Sequence, residues 1–551
     1  MGGPMSVRLA IVLGYLLALL LIAVVFRRVS SRNRVEFFLA GRKMPGVLLF
    51  FTMAATNFSA FTVFGLSGAG YRIGYAFFPV MGFGTGFMAL GFLVIGLRVN
   101  ALARERGYVT PADFIVDRYR SRPLGMLFSL VMIVFTLPYL ATQAVASGRA
   151  LETLAGVPYP VGAALVTGTS VLVVALGGMR SDAWTDVVQG LMMVLFTAAA
   201  FALIARANGG FVAANARAFE AEPALFSRPG ADGSLVPGVW VGYLLLWLFA
   251  DPMFPQLFQR FMAASDRGSL LATAALYPVV TTVLFFLTVS IGVMGRASLP
   301  GLTAAQSDNV FTLLLERHVG GPLAALLLTA GMAALMSTLD SQLLSLSSMI
   351  SLDFTRRRTP GMLVEKLVLV AVGAAGYLIA LRPPRTILDL LTSVSFTGFA
   401  VLAPVVFAGL YWERAGRRSA FVAILAGEAL AAAAALRLVR FPGVLPVVPV
   451  LAATVLVFVI GSLLENDTAA NTGIVVRPRR GTGWWTALFA VFFVLGCDFW
   501  AWGRQPVLVF GLPLWVLYFG VLGMLLALAI AACARWALRQ ESRERSRPRV
   551  G

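Results

Sequence analysis

Apolar residues in this chain fall in long unbroken stretches, with neither the alternation of half-buried strands nor the single stripe of surface helices. About fifteen stretches of roughly 20 residues recur from end to end, each long enough to cross a hydrocarbon core of about 30 Å as a helix. They lie near 6–26, 45–70, 76–97, 124–147, 160–178, 183–205, 238–262, 270–295, 323–352, 364–381, 387–411, 419–436, 445–464, 484–502 and 512–534. The pattern predicts an all-α polytopic membrane protein, because in lipid the backbone must satisfy itself. The first stretch lacks an Ala-x-Ala cleavage site and runs into Arg27 and Arg28, so it reads as a retained span and not a cleaved signal peptide.

Two stretches are interrupted near mid-bilayer. The second contains Ala55-Thr56-Asn57-Phe58-Ser59, and the seventh contains Asp251-Pro252-Met253-Phe254-Pro255. Prolines at that depth remove helix hydrogen bonds, and the freed backbone groups need partners. Ordinary kinking would explain one such span, since small polar residues and Pro also pack membrane helices. A matched pair separated by four intact spans is the pattern of two inverted five-helix repeats with a binding site at their interface. Spans 2–6 then form one repeat and spans 7–11 the other. The expected organisation is an N-terminal span and loop over 1–44, the first repeat over 45–206, an outer loop and the second repeat over 207–412, and peripheral spans with a basic tail over 413–551.

Composition agrees with this picture and adds sidedness. The 551 residues are 59% hydrophobic and 13% charged, far too apolar for soluble cores. The net charge of +19 would suit nucleic acid, but the arginines are scattered over short loops and not gathered in one domain, so no nucleic-acid partner is expected. They cluster on alternate loops: Arg27, Arg28, Arg32, Arg34, Arg42 and Lys43; Arg98, Arg104, Arg106, Arg118, Arg120 and Arg122; Arg356, Arg357 and Arg358; and the tail from Arg535 to Arg549. That asymmetry predicts an outside N-terminus and a cytoplasmic C-terminus in the cell inner (plasma) membrane, with the inner arginines meeting anionic lipid. Connecting stretches are too short for a soluble catalytic domain. The longest, about 206–237, reads as an irregular outer loop with one short helix, and Thr110-Pro111 starts a short helix in the inner loop.

Candidate chemistry concentrates in the ninth stretch, where Ser337, Ser341, Ser345 and Ser348 fall on one helical stripe beside Thr338 and Asp340. Hydroxyl and carbonyl oxygens suit a hard cation, and an acid inside the membrane is costly enough to require a use. Helix packing by Ser and Thr is the competing explanation. Asp186, about one turn into the sixth stretch, either caps its helix or reaches a cation. Cys497 and Cys533 in late spans and the single His318 cannot build a disulfide framework or a His/Cys metal site, so a hard cation is the metal expected and no cofactor is.

The order and spacing of Phe38-Leu39-Ala40-Gly41-Arg42, the run from Ala54 to Gly74, Tyr108 to Tyr119, Gly177-Gly178 with Trp184-Thr185-Asp186, Gln259-Arg260-Phe261 and Ala333 to Gln342 resemble the sodium/solute symporter family, which includes the sodium/proline and sodium/glucose cotransporters. The resemblance implies a leucine-transporter-like fold with one extra N-terminal helix and several C-terminal ones. It implies a sodium site made by the carbonyls of Ala55, Phe58 and Ala334 and the hydroxyls of Ser337 and Thr338. A second sodium, bound in some members, would fall to Asp186, Asp340 and Ser341. Substrate contacts would come from Asn57, Phe61, Thr62, Trp247 and Asp251. Thr62 stands where sugar transporters have Gln, which argues against a hexose. Phe61 and Trp247 resemble the aromatic pocket of the sodium/proline branch, but Asp251 replaces that branch's tyrosine and departs from proline.

The expected function is sodium-coupled symport of a small organic solute by alternating access, an amino acid first and a monocarboxylate or other small polar metabolite second. A membrane solute sensor is the different class; it would need an attached signalling domain, and only about 17 residues follow Arg535. A membrane enzyme would need a water-accessible nucleophile with its base, for which no candidate stands out.

Overall fold

The computed structural model describes residues 4–30, 33–355, 361–382, 387–465, 473–475 and 481–545. Arg32, Arg356, Arg357, Arg358 and the tail beyond 545 lie outside the described residues. Among the described residues eleven helices are long and apolar enough to cross a membrane, and two bent pairs raise this to as many as thirteen. The difference from fifteen stretches has two causes. The fifth and sixth share the 49-residue helix Tyr159–Ala207, and the eleventh ends in Phe396–Tyr411, only 16 residues long. At about 1.5 Å per residue the shared helix is more than twice as long as one crossing requires. Gly178 divides it with φ 55° and ψ −161°. That conformation favours Gly, and a Cβ there would stand 2.8 Å from the Phe37 carbonyl oxygen.

The two bent pairs are the two interrupted spans. Gly46–Asn57 and Phe61–Arg72 meet at 59°, and Pro237–Met253 and Pro255–Ala263 meet at 55°. Pro252 and Pro255 cannot donate to a helix ladder, so the seventh span breaks at Phe254, which is extended (φ −61°, ψ 126°). The second span breaks without proline. Phe58 is extended there (φ −85°, ψ 94°), and the freed amide of Ala60 donates to Gln143 Oε1 at 2.9 Å. The spans are pinned at one end, where Met44 N donates to Ala263 O at 3.3 Å and Ser265 N donates to Met44 O at 3.0 Å.

Close packing fixes the second half of the second span against the eighth span, Arg267–Ser298. A Cβ on Gly70 would come within 2.3 Å of Val289 O, and one on Gly292 within 2.0 Å of Ser67 O. Backbone lies on backbone there, and Ser67 Oγ adds a bond to Thr288 O at 3.0 Å. The two short loop helices expected are present: the connection before the seventh span contains the helix Phe211–Ala221, and Pro111–Tyr119 begins with a Thr110 and Asp113 capping box.

Candidate functional site

The ninth span, Gly321–Asp353, is buried along most of its length and passes both breaks. Its serine stripe faces them in order. Ser337 Oγ donates to Ala55 O at 2.8 Å and Ala334 O at 3.0 Å. Thr338 Oγ1 donates to Thr56 O at 2.9 Å and Ala334 O at 3.3 Å. Four of the five expected sodium ligands therefore share one cluster of uncharged oxygens, joined by the carbonyl of Thr56, which the sequence reading did not include. Phe58 sits at the break, its ring against Tyr277 and Phe285, and no described hydrogen bond ties its carbonyl to the ninth span. A hydroxyl can turn its proton aside and offer a lone pair, so the cluster suits a hard monovalent cation.

One turn along, the stripe meets a guanidinium. Arg260, with no exposed surface, donates Nη2 to Asp182 Oδ2 at 2.6 Å, Asp186 Oδ2 at 3.1 Å and Ser341 Oγ at 2.6 Å. Its Nε reaches Thr52 Oγ1 at 2.8 Å. Ser341 also shares a hydrogen with Thr56 Oγ1 at 2.8 Å. Of the residues expected to hold a second sodium, Asp186 and Ser341 are thus joined through Arg260. Asp340 stands apart from that contact, fully buried, with neither carboxylate oxygen hydrogen-bonded. The stripe ends on Gln259, which accepts from Ser345 at 2.8 Å and donates to Ser348 at 2.6 Å. Asp182 was not anticipated. The signal available was its spacing, four residues before Asp186 and on the same helical face.

The five expected substrate residues, Asn57, Phe61, Thr62, Trp247 and Asp251, line one narrow cavity between the breaks. Tyr139, Phe254, Phe285 and Phe396, none of them anticipated, complete its aromatic wall. Phe61 and Trp247 lie 6.2 Å apart between ring centroids, and Phe396 meets Trp247 edge-on at 5.4 Å. The cavity has room for about one water molecule. Asp251 is 2% exposed; its Oδ2 is 3.4 Å from Asn57 Nδ2, and its Oδ1 has no partner. Asn57 also donates to the Tyr277 hydroxyl. Among the described residues the wall contains no Lys or Arg, and Asp251 is the single formally charged side chain they contribute to it.

The sequence profile of the Sodium:solute symporter family matches residues 37–427. The sodium/pantothenate symporter of Escherichia coli K12 is 31% identical over 450 residues, covering 79% of this chain and 92% of that protein. The sodium/proline symporter of Salmonella typhimurium LT2 is 26% identical over 434 residues, covering 75% and 84%. Among solved structures, a Na+-coupled sialic acid symporter in a substrate-bound outward-open state superposes with a TM-score of 0.69 at 20% identity, covering 84% of this chain and 98% of that one. The closed, bromovinylhydantoin-bound form of Mhp1, a nucleobase-cation-symport-1 family transporter, gives a TM-score of 0.54 at 15% identity, covering 78% and 94%. At those identities the two likenesses speak for the fold alone.

Proposed function

The chain belongs to the sodium:solute symporter family and performs sodium-coupled symport of a solute across the membrane; from that premise we propose that the solute is a small organic molecule bearing an amine, an amino acid first. The observation that carries this reading is Asp251. A buried carboxylate with one oxygen unpartnered, in an aromatic cavity with no basic residue among the described ones, attracts an ammonium group by charge while the rings of Phe61 and Trp247 add cation–π attraction. It repels a carboxylate, which the broken-helix dipoles would have to hold instead.

Sodium then binds at the oxygens of Ala55, Phe58, Ala334, Ser337 and Thr338, with Thr56 within reach. A second cation beside Asp340 belongs to the same proposal. Arg260 supplies one positive charge against the carboxyls of Asp182 and Asp186, and Asp340, next to Ser341 on the ninth span, adds a third buried carboxyl. Buried negative charge in that excess needs further compensation. The protein sits in the plasma membrane with its N-terminus outside.

A monocarboxylate is the second reading, favoured by the 31% identity to a sodium/pantothenate symporter across 92% of that protein. Uptake into proteoliposomes under an imposed sodium gradient separates the two. Sodium-dependent accumulation of amino acids but not of pantothenate supports the first reading. Accumulation of pantothenate alone overturns it.

A further inference from the structure

The connection before the seventh span is seated on the turn that follows the second. Gly74 turns there with φ 91°, and a Cβ on it would come within 2.1 Å of Leu225 O. Tyr75 N donates to Leu225 O at 2.8 Å and Ala231 N donates to Ile73 O at 2.9 Å. Two backbone bonds thus fasten residues 225–231 to the end of the half-span Phe61–Arg72. The rings of Tyr75 and Phe226 meet edge-on with centroids 5.4 Å apart, and the Tyr75 hydroxyl donates to Asn215 Oδ1 at 2.8 Å.

Between those two bonds Arg228 reaches a different partner. Its buried side chain pairs with Asp498. Its guanidinium carbon lies 4.6 Å from the ring centroids of Trp240 and Trp515 and 5.2 Å from those of Trp502 and Phe519. Four rings and one carboxylate make a box that a guanidinium fills by charge and by stacking. Trp240 stands in the first turn of Pro237–Ala250, and its Nε1 donates to Gly496 O at 3.0 Å. Trp502 Nε1 donates to Asp498 Oδ1 at 3.2 Å. Asp498, Trp502, Trp515 and Phe519 all lie beyond residue 427, where the match to the family profile ends.

The two half-spans joined in this way are those that carry the cavity. Phe61 and Thr62 belong to Phe61–Arg72, and Trp247 and Asp251 to Pro237–Met253. At the cavity Phe61 and Trp247 face one another; at the far end the half-spans are tied through residues 225–231 and Arg228. Trp240 is two turns from Trp247, roughly 10 Å along one stiff helix. Rotation of either half-span about its break without the other changes the spacing of Phe61 and Trp247.

We infer that Arg228 is a positioning residue: locked into its box, it makes the two half-spans pivot together and so holds Phe61 against Trp247. Its bearing on transport rests on the reading of that cavity as the solute site, and not on the presence of an amine. Hydrogen exchange of the full chain in phosphatidylcholine nanodiscs, read by mass spectrometry, tests the tie without any solute. In Arg228→Gln, exchange is expected to rise about tenfold in peptides covering 57–64 and 246–254 as well as in 222–236. Arg228→Lys, which keeps the charge and loses the fork, should give an intermediate rise. A rise confined to 222–236 overturns the inference, because Arg228 then fastens its own loop and nothing more; so does no rise at all. Trp515→Leu opens the box from the other side and serves the same reading if Arg228→Gln does not fold. Uptake adds a second readout, with whichever of L-proline and pantothenate the unaltered chain accumulates under a sodium gradient. The half-saturating solute concentration should rise about tenfold in Arg228→Gln. A wide rise in exchange with an unchanged half-saturating concentration would keep the tie between the half-spans and overturn the reading of the cavity as the solute site.

Discussion

Arg260, in the second half of the broken seventh span, donates to Asp182 of the long fifth-and-sixth helix at 2.6 Å, and neither side chain has any exposed surface. The bond runs from a piece of one repeat to a piece of the other, and Ser341 of the ninth span accepts from the same nitrogen.

Removing that cation leaves two carboxylates buried without it. Arg260→Gln is therefore expected to cost about 3–5 kcal/mol of folding free energy, the usual result of breaking a buried pair from one side. Adding Asp182→Asn should recover part of the loss. Melting temperature and yield of purified protein measure both, and no recovery in the double variant would mean that Arg260 acts mainly through Asp186 and Ser341.

Ser337 and Thr338 are expected to supply sodium ligands. Ser337→Ala or Thr338→Ala should raise the sodium concentration for half-maximal uptake tenfold or more, on the order of 1.4 kcal/mol. Initial uptake rates across a sodium series give the answer, and unchanged sodium dependence in both variants removes this site.

Asp251→Asn keeps the shape of the cavity and removes its charge. Amine-bearing solutes should lose far more affinity than carboxylates lacking an amine, with expression and sodium affinity near normal. Equal loss of every solute, or loss of folded protein, would make Asp251 a structural residue at the break.

The arginine distribution predicts an outside N-terminus and a cytoplasmic C-terminus. Paired reporter fusions, one active only in the cytoplasm and one only outside it, read each end in turn. Both ends reporting from the cytoplasm would contradict an odd number of crossings.

Much of the architecture was legible because lipid imposes it: long apolar stretches are a direct physical requirement, and Pro252 with Pro255 announces a break. The second break carries no proline and was legible only through its polar residues. Ser337 stood out on a stripe of serines in a helix rich in apolar residues, and Thr338 as the hydroxyl beside it. Asp182 did not, because it follows the Gly178 division and reads as the end of a loop, although it lies in the first turn of the helix that begins there. Arg260 was visible only as part of a motif, since nothing in its neighbours says that its side chain turns inward to acids 74 and 78 residues away in sequence. The aromatic wall was the least legible part. With 41 phenylalanines in the chain, only packing distinguishes Phe254, Phe285 and Phe396 from those that face lipid.

The reciprocal approach at Gly70 and Gly292 has a mechanical consequence. Ridges of side chains can ratchet past one another, but backbone seated against backbone leaves nothing to slip between. The second half of the second span and the eighth span should therefore travel as one rigid piece, and the hinge for that half must lie at the extended Phe58. Any rocking that opens the cavity then acts on the serine stripe of the ninth span, whose hydroxyls hold the other half in place.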